Sequence, residues 1–311
     1  MILTGIVMRC VGGLFTIQLD SEHNGSMRLD ARARGAFKHE KKTLLAGDRV
    51  EVDINENGEP YISKILDRKS SLIRPPLANL DTLFIVISCV RPAPVLETID
   101  KLICIAESKK IEPVIVITKA DLDSDFATEA ATLYKKCGFE VFITSSEDGR
   151  GRQELLDYIR KNGESNKIYA FSGASGAGKS TFINLLFPQL CLETGELSQR
   201  LDRGKNTTRA TELFSLSDLL GEGVQGYLAD TPGFSLLDFE RFDFFDLDSL
   251  FDTFREFRKS EGMCRYTKCS HTKEQGCDVI ARVQSGEIPK SRHQSYVSLY
   301  EVLKSKPRWK K

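Results

Sequence analysis

The chain has 311 residues, 41% of them hydrophobic, which is enough for two or three domains each with its own core. Its 44 Lys and Arg balance 44 Asp and Glu, so the whole molecule offers no broad basic field and a polyanionic partner must be met by local patches. No segment approaches the ~18 uninterrupted apolar residues of a membrane span, and MILTGIVMRCVGG lacks the basic start and small-residue cleavage site of a secretory signal; a soluble, cytoplasmic protein is expected.

Residues 1–68 alternate short apolar runs, GIVMRCVGGLFTIQL, SMRLDARARG and AGDRVEVDINENGEPYISKIL, with turn signals at Gly12–Gly13 and in ENGEP. β-Branched residues beside such turns predict hairpins, and about five strands in so short a stretch suit a small barrel, OB-like or SH3-like. RKSSLIRPPLANLD, with two prolines, reads as a linker. From Thr82 the period changes. LFIVIS (83–88) and PVIVIT (113–118) are continuous apolar runs of buried parallel strands, and TIDKLICIAESKK between them has helical spacing. The strand FEVFITSS follows the helix ATEAATLYKKCG, a helix GRQELLDYIRKNG comes next, and the strand KIYAFSG runs into a Gly-rich turn. This alternation predicts a doubly wound α/β domain over about 80–240, with the remaining roughly 70 residues mainly helical.

SGASGAGKST, residues 172–181, fits GxxxxGK[ST] at Gly173, Gly178, Lys179 and Ser180. Its glycines let consecutive N–H groups, from Gly173 through Ala174, Ser175, Gly176 and Ala177 to Gly178, turn inward on phosphates at a helix N-terminus whose dipole favours anions. Lys179 is expected to bridge the β and γ phosphates, and Ser180, with Thr181 beside it, to place a hydroxyl on Mg²⁺. DTPGF (230–234) ends the run VQGYLAD; Asp230 can hold Mg²⁺ through water and the Gly233 N–H can meet the γ-phosphate. Between these motifs DRGKNTTRATELF is polar, as expected of a switch loop that lends a Thr to Mg²⁺. Thr207 and Thr208 both qualify, and a plain surface loop is the alternative.

TKAD (118–121) selects the base. Asp121 can accept from both guanine N1–H and the 2-amino group, a donor pair that adenine lacks. Thr118 stands where Asn is usual, which removes an amide donor, while Lys119 can still pack its stem over the ring. TSSEDG (144–149) is positioned to meet the base carbonyl through backbone N–H groups, Ser145 and Ser146 leading. TKAD precedes the phosphate loop, the reverse of an ordinary GTPase. Joining the usual ends through KNGESNK places KIYAFSG directly after GRQELLDYIR and keeps the parallel sheet, which is a circular permutation. The chain leaving DTPGF then enters the C-terminal domain, so the nucleotide state is expected to move that domain.

Cys10, Cys89, Cys104, Cys137 and Cys191 are scattered singly, whereas Cys264, Cys269 and Cys277 gather with His271 in CRYTKCSHTKEQGC. Three thiolates and an imidazole are a set that binds one structural Zn²⁺ tetrahedrally with no open position, and a small domain with a marginal core gains from it. His23, His39 and His293 are isolated, which suits surface or hydrogen-bonded roles. The tail SGEIPKSRHQSYVSLYEVLKSKPRWKK mixes aromatics with cations. Trp309 or Tyr296 stacked on bases would fit RNA, and a solvated end fits as well; ARARG, with Arg32 and Arg34, is a second such patch.

The barrel, NLDTLFIVISCVRPAPVLETIDKL, TKAD, GASGAGKST, GKNTTR, DTPGF and the late Cys/His cluster, in that order over essentially the whole chain, resemble the RsgA family of circularly permuted GTPases. The resemblance implies an OB-fold RNA-binding domain over 1–68, the permuted GTPase domain over 69–242 and a zinc-binding domain over 243–311. It also implies hydrolysis of GTP to GDP and phosphate, stimulated by the small ribosomal subunit during its late maturation, and contact with ribosomal RNA by a monomer. Thr118 departs from the family pattern, and Asn206 stands where many members have His, so no role of that His carries over. Lys179 and Thr208 are then the catalytic candidates, with Asn206 a further one. Where Ras-like enzymes place a water-orienting Gln this chain has Phe234, whose ring cannot orient water; slow intrinsic turnover, completed by another element, is expected. A GTP-sensing RNA binder without hydrolysis and an adenine-specific P-loop enzyme are the other readings open at this point.

Overall fold

A computed structural model of the protein describes residues 2–34, 43–72, 75–164, 166–190, 192, 211–230 and 246–305. The chain forms two compact units, one of residues 1–83, 156–172 and 186–234 and one of residues 84–155, 173–185 and 235–311.

In the first unit β1 (Ile2–Val11), β2 (Leu14–His23), β3 (Ser26–Ala33), β4 (Arg49–Ile54) and β5 (Pro60–Ile65) close a barrel in the order β1-β2-β3-β5-β4. The pair β3/β5 is parallel and the others antiparallel, the Greek-key order of an OB-like barrel. Alternate residues point inward, and Val7, Ile17, Val50, Val52 and Ile62 are fully buried in its core. Gly5 lets β1 press onto β2, because a Cβ there would lie 2.5 Å from the Gln18 carbonyl oxygen. A short ribbon, β6 (Ser71–Leu72) with β7 (Leu77–Ala78), follows where a linker is expected. In the same unit β11 (Ile168–Gly173, as far as Ser172) runs parallel to β13 (Tyr227–Asp230), and β12 (Glu212–Ser215) lies antiparallel beside β13, leading into the short helix α5 (Leu216–Leu220).

The second unit holds most of β8 (Thr82–Ser88), then β9 (Glu112–Thr118) and β10 (Glu140–Ile143), with β9 and β10 parallel. Every residue of β8 is buried, as the continuous apolar run requires of a strand covered on both faces. Helix α1 (Leu96–Ser108) buries Ile99, Leu102, Ile103 and Ala106, one stripe at helical spacing. Helix α2 (Ser124–Lys136) starts where Asp123 accepts from the Phe126 N–H at 2.9 Å and ends with Lys135 and Lys136 on its negative pole. Helices α3 (Arg152–Asn162) and α4 (Lys179–Leu186) flank β11 in sequence. Within the second unit the strands lie in the order β10-β9-β8 and within the first in the order β11-β13-β12; numbered from β11 instead, these read 6-5-4 and 1-3-2, with the phosphate loop after the first strand. Moving the chain ends has left that order intact.

The C-terminal part adds 3₁₀ turns at Phe251–Thr253 and Arg255–Ser260, then α6 (Asp278–Gln284) and α7 (Lys290–Ser305). Helix α7 buries Arg292, Ser295, Tyr296, Leu299 and Leu303 along one stripe. Arg292, wholly buried, donates to Asp100 of α1 at 2.6 Å and to Glu256 at 2.7 Å, and Tyr134 donates to the same Asp100 at 3.1 Å. Arg255 pairs with Glu107 and, at 2.6 Å, with Glu112. Among the described residues no helix is long and apolar enough to cross a membrane.

Candidate nucleotide site and metal centre

Three loops of the second unit carry the nucleotide motifs. Gly173 ends β11 with φ +147°, where a Cβ would lie 2.4 Å from the Val86 carbonyl oxygen, so only glycine lets the chain turn here. Gly176 and Gly178 follow in the left-handed region, at +79° and +88°. The Lys179 ammonium folds back over the loop and donates to the Gly173 and Ala174 carbonyls, each at 2.8 Å. Desolvation lowers its pKa from the ordinary lysine value, and an anion entering the loop would offset that lowering. Ser180 follows at the start of α4, half-buried, and Thr181 is exposed.

β9 ends at Thr118, which is buried, and turns at Lys119 with φ +59°. Lys119 Nζ donates to the Arg91 carbonyl and, at 3.0 Å, to that of Gly176. Thr118 Oγ1 lies 2.6 Å from the Ala177 carbonyl and 3.2 Å from that of Ile87. Where Asn would offer an amide donor, a hydroxyl therefore contacts the phosphate loop. Asp121 is exposed, with its Oδ1 held by Ser145 Oγ at 2.6 Å. Ser145 is itself buried and its N–H donates to Arg150 O at 3.1 Å, which leaves Ser146 as the one of the pair with its N–H outside that bond.

Asp230 ends β13 in the first unit, its register partner on β12 being Glu212. Asn206, Thr207, Thr208, Gly233 and Phe234 lie outside the described residues, as do Cys191, His39 and Trp309.

Cys264, Cys269, His271 and Cys277 place their ligand atoms within 4.8 Å of one another. His271 Nδ1 is 3.5 Å from Cys264 Sγ and 3.4 Å from Cys277 Sγ, and those two sulfurs are 3.9 Å apart. A tetrahedral Zn²⁺ with ordinary bond lengths spans about 3.6 Å between S and N and about 3.8 Å between two S, so the donor set fits that ion. Burial pushes the Cys277 thiol up to about 12, a penalty that a divalent cation beside the sulfur would offset. Glu274 clamps the loop: its carboxylate accepts from the Ser270 hydroxyl and from the N–H groups of Ser270 (2.9 Å), Thr272 (3.1 Å) and Lys273 (3.1 Å); the Ser270 hydroxyl first, then main-chain N–H groups of this loop, hold its pKa down at about 2 against desolvation. His293 Nε2 lies 2.7 Å from His271 O; a carbonyl only accepts, so this nitrogen carries the proton. His293 thus takes one of the two roles expected of it, a hydrogen-bonded one, whereas Glu274 is not singled out by the sequence reading, although a Glu inside a Cys/His loop is a usable signal for such a clamp.

Tyr296, a candidate for stacking on bases, is buried instead: it packs on Phe254 and Phe257 and donates to Ser270 O at 3.2 Å, so its ring is not available to a nucleic acid. Arg32 and Arg34 are exposed on the barrel, Arg34 lying 5.8 Å over the Tyr61 ring.

Models of two known domains match this chain, the RsgA GTPase over residues 65–240 and the RsgA N-terminal domain over residues 4–62. The chain is 36% identical over 310 residues to the small ribosomal subunit biogenesis GTPase RsgA 2 of Oceanobacillus iheyensis, covering 98% of this chain and 99% of that protein. It is 34% identical over 307 residues to the small ribosomal subunit biogenesis GTPase RsgA of Staphylococcus aureus, covering 97% and 98%. Its fold is similar to that of YjeQ from Thermotoga maritima, with a TM-score of 0.80 and 29% identity over 99% of this chain and 100% of the other. It is also similar to YloQ, a circularly permuted GTPase, with a TM-score of 0.77 and 30% identity over 99% and 98%.

Proposed function

From its membership of the RsgA GTPase family, to which this chain belongs and which makes it a GTP hydrolase, we propose that it serves late maturation of the small ribosomal subunit and that the subunit stimulates its turnover. The observation that carries the reading is the joining of a phosphate loop to a base-reading loop by Thr118 and Lys119, with Asp121 held ready by Ser145. Within it, the N–H groups of residues 173–178 and Lys179 take the phosphates, Asp121 takes guanine N1–H and the 2-amino group, and Ser146 N–H meets the base carbonyl. Ser180, Asp230 and one of Thr207 and Thr208 offer hydroxyl and carboxylate oxygens, the hard donors that suit Mg²⁺. Mg²⁺, when bound, neutralises charge developing on the β and γ oxygens. Gly233 N–H reads the γ-phosphate, and with Phe234 beside it the water is oriented by a group from outside this motif, which makes unassisted turnover slow.

The reading assigns residues 1–68 to an RNA-binding barrel, 69–242 to the GTPase domain and 243–311 to a domain carrying one structural zinc on Cys264, Cys269, His271 and Cys277. It places the protein in the cytoplasm as a monomer that meets ribosomal RNA through cationic patches such as Arg32 and Arg34. Equilibrium binding of GDP against ADP tests the nucleotide assignment: selective, Lys179-dependent binding of GDP is expected, and equal affinity for ADP would contradict it.

A further inference from the structure

Four carbonyls of the phosphate loop are held by side-chain donors. Lys179 Nζ takes those of Gly173 and Ala174, Lys119 Nζ takes that of Gly176, and Thr118 Oγ1 takes that of Ala177. The last two donors are consecutive residues at the end of β9, gripping consecutive carbonyls 57 and 59 positions away. In a trans peptide the C=O and N–H point in opposite directions. Holding the Ala177 carbonyl against β9 therefore turns the Gly178 N–H away from it, toward the side where an anion is cradled. The hydroxyl of Thr118 has one proton to give, and the Ala177 oxygen at 2.6 Å is nearer than the Ile87 oxygen at 3.2 Å. With Thr118 2% exposed and Ala177 1% exposed, solvent is poorly placed to replace that bond.

The geometry points to Thr118 as the positioning residue of the phosphate loop: its hydroxyl sets the Ala177–Gly178 peptide so that the Gly178 N–H is prepared for a nucleotide phosphate oxygen. This deepens, and rests on, the reading of the site as one for guanine nucleotides. The hydroxyl's contacts, with Ala177 and Ile87, are both to main-chain carbonyls, so Thr118 acts through the loop and leaves base selection to Asp121. A threonine in the place of the usual Asn thus loses no grip on the loop.

The test is equilibrium binding of GDP and of IDP, which lacks the 2-amino group, to the full-length wild type, Thr118→Val and Thr118→Ser. Thr118→Val replaces the hydroxyl by a methyl in the same branched outline. It is expected to weaken GDP and IDP alike by about tenfold, equivalent to about 1.4 kcal/mol, with the GDP-to-IDP ratio unchanged. Thr118→Ser, which restores the hydroxyl, is expected to return both affinities to within about twofold of wild type. Wild-type affinity in Thr118→Val, or a ratio falling toward one, would overturn the role. If thermal melting shows Thr118→Val to be unfolded, Thr118→Ser decides alone, and a tenfold loss in it overturns the role. A wild type that binds neither nucleotide overturns the guanine-nucleotide reading and this role with it, whereas a binding wild type with an unaffected Thr118→Val overturns only the role.

Discussion

Asp121 is the residue proposed above to select guanine, and its carboxylate is already held by a neighbour. Ser145 Oγ donates to Oδ1 at 2.6 Å, which fixes the rotamer and leaves the remaining lone pairs for N1–H and the 2-amino group. Changing the carboxylate to an amide turns one acceptor into a donor. Asp121→Asn should lose roughly a hundredfold in GDP affinity, by removing a charge-assisted bond and presenting a donor to a donor, and should gain affinity for XDP, whose base has a carbonyl at that position. Isothermal titration with both nucleotides checks it; unchanged preference for GDP would take Asp121 out of the base site. The TKAD and GASGAGKST motifs were legible because each is a short run whose spacing is its function. The bonds between them were not, since Thr118 and Ala177 are 59 positions apart and local periodicity carries no record of that meeting.

At the scale of elements, the C-terminal helices are fastened to α1 by buried charge. Arg292 is 0% exposed and Asp100 1% exposed, and Phe254 stacks under the guanidinium at 4.5 Å. Such a pair adds little over a well-packed apolar substitute, yet removing one partner strands the other. Arg292→Met should therefore destabilise the protein by about 3–5 kcal/mol, read by urea unfolding, because Asp100 and Glu256 would be left without their cation. A loss under 1 kcal/mol would show the cluster to be open to water. The fastening also bears on the expected swing of this domain with nucleotide state, since any movement that parts α7 from α1 must break these bonds. Removal of zinc belongs to the same scale. The loop from Cys264 to Cys277 is held by Glu274 and His293, but its thiols crowd one another, so prolonged chelation or Cys277→Ser should lower the melting temperature of the C-terminal part. Zinc content by atomic absorption should be near one per chain in the wild type and near zero in Cys277→Ser; a wild type with no zinc contradicts the assignment. The CRYTKCSHTKEQGC cluster is visible as composition, whereas the Arg292 cluster joins residues 192 positions apart, a meeting that no local pattern records.

For the whole molecule the governing fact is order along the chain. Strands β8 and β9 announce themselves as uninterrupted apolar runs, and strand β11 runs into the phosphate loop, so the permuted order of elements is legible before any coordinate. The short ribbon of β6 and β7 was read as linker, because two-residue strands carry no period and only their partners define them. What the sheet positions is a GTP hydrolase in whose DTPGF motif Phe234 follows the glycine, at the place where Ras-like enzymes carry a water-orienting Gln. The most direct measurement is hydrolysis of GTP and of ATP by the purified chain, with and without small ribosomal subunits, beside Lys179→Ala. Slow GTP turnover that rises severalfold or more with subunits, no turnover of ATP, and none by Lys179→Ala is expected. GTP turnover that is fast alone and indifferent to subunits would contradict a catalytic site completed from outside.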